Sequence, residues 1–287
     1  MALKGYSMQN GTPSRTALMA AAARAAHLVV DDQPHLFHDT VAASLLGTQA
    51  EELIGYHRQF GEHPILSGTR TQVTVRSHYT EARLAASGHT QYVILGAGLD
   101  TFAYRAGGDT TVFEVDHPDT QQWKRDLLAD AGIAATAVEF VSVDFENDSL
   151  DEQLAAHGFD PARPALVSWL GVSMYLTAPA IAATLAVLGR CAPGTELIME
   201  YALPAHLRDE RGAAYAGHAL AATTDLSEPW HSYFAPEELS AMLDTHGFTV
   251  HEHRSQREAV PPALWQRTDG LRPVDLCRLV RAKVRNR

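Results

Sequence analysis

The chain has 287 residues, 46% of them hydrophobic and 20% charged, with a formal net charge of −11 and a pI near 5.7. That length buries a full core as one large domain or as a domain with an added cap, and the composition excludes wholesale disorder. The acidic balance excludes a broad electrostatic footprint for nucleic acid, and no apolar run is long enough to span a membrane.

The chain divides near Gly88, and the part before it reads as helical. Ser14 to Val30 is dense in alanine and leucine behind a serine cap, and its interruption by Arg24 makes it a helix rather than a secretory segment, so a cytoplasmic protein is expected. Phe37 to Leu46 continues the helical pattern, and Val73 to Ala86 forms a further helix with Arg76, Tyr79 and Arg83 on one face. Residues 1–88 therefore read as an N-terminal helical cap.

From residue 89 to 287 the period changes to that of a sheet enzyme core. Tyr92 to Leu95 is a short apolar run, the pattern of a strand buried on both faces. Strands follow at Thr111 to Val115, Val138 to Val143, Ala165 to Leu170 and Glu196 to Tyr201. Helices alternate with them at Thr120 to Ala131, Ser149 to Ala156 and Pro179 to Cys191. This alternation predicts an α/β fold with a doubly wound, mostly parallel sheet. The rhythm then breaks between about residues 204 and 234, where His206, Tyr215, His218, Trp230, His231 and Tyr233 lie among alanines and glycines. An insertion of that length reads as a lid or substrate-shaping segment. Pro236 to His246 is a helix, Phe248 to His253 a strand and Leu276 to Val284 the closing strand, which accounts for the apolar alternation in the basic stretch from Arg278 to Arg287. Cys191 and Cys277 lack metal-ligand spacing and read as two buried thiols; no metal site is expected.

Four constellations carry chemistry. Gly96-Ala97-Gly98-Leu99-Asp100 follows a buried strand, where a turn needs glycine and a ligand can approach the strand's carboxyl end. Thr101 occupies the third glycine position of the dinucleotide fingerprint, which disfavours a nicotinamide dehydrogenase. Glu114 and Asp116 end the second strand on one shared face. Asp116 is expected to bind ribose hydroxyls, with Glu114 supporting it or bonding the glycine loop. Asp144 and Phe145 close the third strand, an acid and an aromatic suited to an adenine amine and an adenine face. Trp169 to Leu176 ends the fourth strand and holds Met174 and Tyr175, with Tyr175 balanced between core and site.

The string from Gln91 to Arg105, together with Phe113 to Pro118, Gly171 to Leu176, Arg76-Ser77-His78, Ser14 to Ala17 and Arg267 to Arg272, resembles the leucine carboxyl methyltransferase family, its bacterial polyketide O-methyltransferase branch included. The resemblance covers nearly the whole chain. It implies a class I, Rossmann-like sheet of seven strands with the last antiparallel, and S-adenosyl-L-methionine as cofactor. It also implies that Arg76 binds the cofactor's carboxylate, a task that suits an arginine fork, and that Gly96, Gly98, Asp116, Asp144 and Phe145 line the rest. One departure is Leu170, which stands where members directed at protein phosphatase carry a glutamate for the methionine ammonium. It leaves the ammonium to backbone carbonyls of the glycine loop or of the loop after the fourth strand, and points away from a protein-tail substrate toward the small-molecule branch.

Methyl transfer is an in-line displacement at an activated sulfonium, so catalysis is mostly placement in a water-poor pocket. A phenol or alcohol acceptor benefits from a base, for which His206, His218 and His231 are candidates; His117, before Pro118, reads as a turn residue. The expected protein is an O-methyltransferase of a small metabolite's hydroxyl or carboxyl, monomeric or homodimeric, with no nucleic-acid or membrane partner. Carboxyl methylation of a peptide or protein C-terminus, and a non-catalytic cofactor-binding scaffold, are the alternatives.

Overall fold

The computed structural model describes residues 14–136, 138–225 and 229–286. Residues 1–13 of the expected cap, Ala137, residues 226–228 of the expected insertion and Arg287 of the basic tail lie outside the described residues. In chain order the elements are α1 (Arg15–Val30), α2 (Ala50–Phe60), α3 (Pro64–Ser87), β1 (Gln91–Leu95), α4 (Phe102–Arg105), β2 (Thr111–Asp116), α5 (Pro118–Asp130), β3 (Val138–Ser142), α6 (Leu150–Ala156), β4 (Leu166–Trp169), α7 (Ala178–Leu188), β5 (Glu196–Ala202), α8 (Glu210–Asp225), α9 (Pro236–Thr245), β6 (Phe248–Arg254) and β7 (Cys277–Val284).

The seven strands form one sheet in the order β3-β2-β1-β4-β5-β7-β6. The first five strands pair in parallel, and β7 runs antiparallel to both β5 and β6. Strand order reverses between β1 and β4, which puts the ligand crevice of an open α/β sheet at the carboxyl ends of these two strands. Successive side chains take opposite faces. Val93, Leu95, Val167, Trp169, Leu197 and Met199 pack under α6, α7 and α9, while Tyr92, Ile94, Leu166 and Ile198 pack under Val75 and Leu84 of α3.

Polar contacts fix how α3 lies on its face of the sheet. Arg83 bonds Glu196 at the start of β5, Tyr79 donates to Glu252 of β6 at 2.6 Å, and Arg76 donates to Glu200 near the end of β5 at 2.7 Å. Seven residues of helix rise about 10 Å and four of strand about 13 Å, so Arg83 and Arg76 meet Glu196 and Glu200 spaced along β5, while Tyr79 between them reaches Glu252 of β6.

The cap departs from expectation at Phe37 to Leu46, where no α-helix forms. Asp39 Oδ1 accepts from the Val41 and Ala42 amides at 3.2 and 2.9 Å, a side-chain turn that competes with helical bonding. A 3₁₀ turn at Ser44–Gln49 follows, interrupted by Gly47 at φ 54°. Helix α2 was not anticipated, and α3 starts at Pro64 rather than Val73, with His63 as its cap. The alanines of α1 are buried almost all round, which lets the helix sit close on its neighbours.

Beneath these helices lies a buried network. Arg70 donates to both Asp31 oxygens, at 2.8 and 2.9 Å, to Gly61 O at 2.8 Å and to His57 Nδ1 at 3.1 Å. His27 Nδ1 also lies 2.8 Å from Asp31. Burial, and then the Arg70 charge, push the His57 imidazole down to about 4. The fold thus holds His57 neutral, while the unfolded chain protonates it from about pH 6.5. Its contribution is complete above 6.5 and is lost as pH falls toward 4, on the order of 3 kcal/mol. Urea unfolding across pH 7 to 4 should show that slope, and His57→Gln should flatten it.

Candidate active site

The glycine turn is built by conformation and close packing. Gly96 and Gly98 have φ of 69° and 47°, the left-handed region that a side chain disfavours. The amides of Gly96 and Ala97 both donate to Val115 O, at 2.8 and 3.0 Å, which ties the turn to the end of β2. A Cβ on Gly96 would stand 2.2 Å from Val172 Cγ2, and one on Gly98 would stand 3.0 Å from Ala17 Cβ of α1. The loop after β4 and the first turn of α1 therefore close directly on the glycines. Asp100 turns its Oδ1 to the Phe102 amide at 2.8 Å and so caps α4.

Of the two acids of β2, the loop-bonding role that spacing gives Glu114 falls to Asp116. Asp116, not Glu114, bonds the glycine loop: its Oδ2 accepts from the Gly98 amide at 2.5 Å and its Oδ1 from the His117 amide at 2.7 Å. Burial raises this carboxyl, offset in part by those two amides. Each oxygen still has a lone pair for a further donor. Glu114 points into the protein instead, where Lys124 Nζ donates to it at 2.6 Å and Tyr104 at 3.2 Å. It therefore touches neither the glycine loop nor Asp116. His117 caps α5, accepting from the Asp119 amide at 3.3 Å.

At the end of β3, Asp144 accepts from the Glu146 amide at 3.0 Å and from Asn147 Nδ2 at 2.7 Å. Phe145 is half-buried, its ring 6.4 Å from that of Trp169 across the ends of β3 and β4. Trp169 is fully buried and its indole N–H has no hydrogen-bond partner among the described residues.

Arg76 reaches this edge from α3. A Cβ on Gly171 would meet its Nη1 at 2.5 Å, so the guanidinium lies flat against the backbone just after Leu170. It is held by Glu200 Oε2 at 2.7 Å, and its remaining donors bond none of the described residues. Burial pulls the Arg76 pKa down, but the charge of Glu200 and its hydrogen bond together with lesser neighbours raise it overall, so the cation is permanent. Leu170 packs, half-buried, on the α3 face of the sheet. Ser173 Oγ donates to Glu200 O at 2.7 Å and pins the loop to β5.

The insertion closes over the same loop. The amides of His231 and Ser232 both donate to Met174 O, at 2.6 and 3.2 Å, and Ser232 Oγ donates to Leu176 O at 2.6 Å. Tyr175, Trp230 and Tyr233 form an aromatic row with 6.2 Å between successive rings. Helix α8 docks on α3 where Gly68 leaves room for the Tyr215 ring, and Tyr215 donates to Gln72 Oε1 at 3.1 Å. His206, His218 and His231 are exposed, and His218 stacks edge-on against His63, 5.4 Å between rings, at the start of α3. The structure thus brings Gly96, Ala97, Gly98, Asp116, Arg76, Leu170 and Tyr175 to one edge; His218 lies away from it. Residues that spacing did not single out are Gln72, Lys124 and Glu200.

This donor set suits S-adenosyl-L-methionine: a carboxylate on the glycine turn for vicinal hydroxyls, an aromatic and an acid for the base, and an arginine with open donors for a carboxylate. Among the described residues no group of three or more His, Cys, Asp or Glu could hold a metal ion, and no helix is long and apolar enough to cross a membrane. Cys191 and Cys277 are both free and buried.

Comparisons with known proteins agree with this geometry. A family model described as leucine carboxyl methyltransferase matches residues 17–189. A Bacillus subtilis protein, YktD, proposed to be an S-adenosyl-L-methionine-dependent methyltransferase, is 30% identical over 86% of this chain and 90% of its own. A Mycobacterium tuberculosis protein given the same description, Rv0281, is 35% identical over 58% of each chain. Among solved structures, a proposed methyltransferase from Thermobifida fusca covers 97% of both chains with a TM-score of 0.59 at 16% identity. A Streptomyces avermitilis protein of the DUF574 family covers 92% of this chain and 97% of its own with a TM-score of 0.56 at 14% identity. The seven-stranded fold, the glycine turn with its aspartate and these relatives converge: the chain belongs to the leucine carboxyl methyltransferase family and is an S-adenosyl-L-methionine-dependent methyltransferase.

Proposed function

We propose that the enzyme is an O-methyltransferase that acts on the hydroxyl or carboxyl of a small, largely apolar metabolite, of the polyketide kind. The observation that carries this reading is the aromatic row Tyr175, Trp230 and Tyr233, stitched by three hydrogen bonds onto the loop after β4. Aromatic walls beside a few placed polar groups are the usual lining of a small-molecule site.

The cofactor, when bound, supplies a methyl group on a sulfonium that needs no further activation. What the chain contributes is position and dryness. Asp116 and the glycine turn fix one end of the site, Arg76 fixes the other, and the insertion excludes water above the acceptor. Bringing an oxygen within about 3 Å in line is the main catalytic task. Tyr175, in the loop that packs on Arg76, is the side chain best placed to orient an acceptor hydroxyl, and the exposed His231 follows Trp230 at the rim.

Titration calorimetry should give binding of S-adenosylmethionine and S-adenosylhomocysteine and none of NAD. A labelled-methyl assay over phenols, small carboxylic acids and C-terminal peptides then tests the acceptor. Turnover on phenols or small acids supports the reading. Transfer confined to peptide termini would overturn it, and cofactor binding with no transfer on any acceptor would favour a scaffold.

A further inference from the structure

We infer that Glu200 binds the ammonium of the cofactor's methionine end, supplying from β5 the anion that Leu170 does not supply from the loop after β4. The inference rests on the cofactor reading of this edge.

An amino-acid terminus is a zwitterion, and a site that takes its carboxylate on an arginine leaves an ammonium to be matched. A buried ammonium without an anion or several acceptors is strongly disfavoured. Glu200 is 3% exposed, near the carboxyl end of β5. Strand pairing sets Trp169 against Met199. Leu170 and Glu200, one residue on, thus leave neighbouring strands at the same level. Glu200 also lies on the face that carries Arg76, Ile198 and Leu170.

Its carboxylate is held but not saturated. Oε1 accepts from Gln72 Nε2 at 3.0 Å and Oε2 from Arg76 Nη1 at 2.7 Å. Each oxygen can accept once more. A cavity of about 10 Å³, room on the scale of one water, adjoins the pair on its β7 side, beside Gln256, Ala259, Cys277 and Leu279. Arg76 still has donors that bond none of the described residues. An internal cation with open donors beside an internal anion with open lone pairs is the complement of an α-amino acid. A purely structural ion pair has no need of such openings.

The same carboxylate links to the insertion, since Gln72 bonds both Glu200 and Tyr215 of α8. Gln72 thereby orients Glu200 and ties it to the segment that covers the acceptor.

The test is calorimetric binding of three ligands to the full-length protein: S-adenosylhomocysteine, its des-amino analogue with hydrogen in place of the α-amine, and 5′-methylthioadenosine, which lacks the amino-acid end. A charge-assisted hydrogen bond lost from a buried site is worth ten- to a hundredfold. Glu200→Gln should therefore lose that factor for S-adenosylhomocysteine and less than threefold for the other two. Equal losses for the first two ligands would mean that Glu200 acts only by holding Arg76, and an unchanged affinity for S-adenosylhomocysteine would mean that it does not act at all; either result overturns the inference. If the glutamine variant does not fold, Glu200→Asp carries the test. Drawing the carboxylate back by one methylene should narrow the preference for S-adenosylhomocysteine over the des-amino ligand about tenfold, and an unchanged preference overturns the inference. Failure of the wild-type protein to bind S-adenosylhomocysteine would instead remove the cofactor reading itself.

Discussion

Replacing Asp116 by alanine is expected to weaken binding of S-adenosylhomocysteine about a hundredfold, roughly 3 kcal/mol, with the fold intact. Two losses add. The bound ribose would lose an anionic acceptor for its hydroxyls, and hydrogen bonds to a charged partner are worth about 1.5–3 kcal/mol each. The glycine turn would also lose its anchor, because Asp116 Oδ2 holds the Gly98 amide at 2.5 Å and Oδ1 holds the His117 amide at 2.7 Å. Asp116→Asn is not a conservative control. One of those two amides would then face an NH₂ donor, so the asparagine variant should also bind weakly. Calorimetry on variants with wild-type melting behaviour decides the matter, and an unchanged affinity for Asp116→Ala would move the ribose role elsewhere.

The middle of the sheet was legible because β1, β2, β4 and β5 are buried along most of their length and read as mainly apolar runs. The start of β1 at Gln91 and the end of β5 at Ala202 lie within a residue or two of expectation. The cap was less legible. Its first helix follows from alanine content, but the stretch from Phe37 to Leu46 is shaped by Asp39. That side chain answers to Arg24 at 2.8 Å and to Thr101 at 2.7 Å, partners 15 and 62 residues away in the chain. No local pattern carries such a contact. The early start of α3 was signalled by Pro64 at a first helical position, but the run of Ser, Gly and Thr behind it masked the period.

The site shows the same division. Gly96, Gly98 and Asp116 could be placed because a turn, a close approach and a strand end each demand particular residue types. The relative roles of Glu114 and Asp116 could not, since both lie on one strand face and only the strand's end, where β2 stops at Asp116, decides which reaches the loop. Glu200 was hidden for a related reason. It reads as the last polar interruption of an apolar strand, and its pairing with Arg76 spans 124 residues. In retrospect the signal was the charge itself: every residue of β5 is buried, so a glutamate there must have a partner.

Lys124→Met is expected to cost about 1–2 kcal/mol more stability at pH 8 than at pH 6, because it leaves Glu114 buried without its counter-charge. Both side chains are 1% exposed. Glu114 has one further donor, Tyr104, on the same oxygen, and its Oε1 has no hydrogen-bond partner among the described residues. Burial pushes this carboxyl up to about 7, even with Lys124 drawing it down. The sign of the pH dependence follows from that. A carboxyl raised above its unfolded value of 4.5 favours the fold fully below that value, and this contribution is lost as pH climbs through 7. Without Lys124 the folded value rises further, so the unpaired acid takes up a proton at pH 6 at little cost and must be kept protonated or ionised at greater cost at pH 8. The penalty of Lys124→Met should therefore grow from pH 6 to pH 8 in urea unfolding. Adding Glu114→Gln should recover most of the lost stability and flatten the slope. A pH-independent penalty, or no recovery in the double variant, would show that Lys124 acts through its packing over the Tyr104 ring, 5.2 Å from the ring centre, rather than through its charge. The pair lies one residue from Val115, whose carbonyl receives the two amides of the glycine turn. Affinity for S-adenosylhomocysteine should accordingly fall with stability in Lys124→Met and return with it in the double variant.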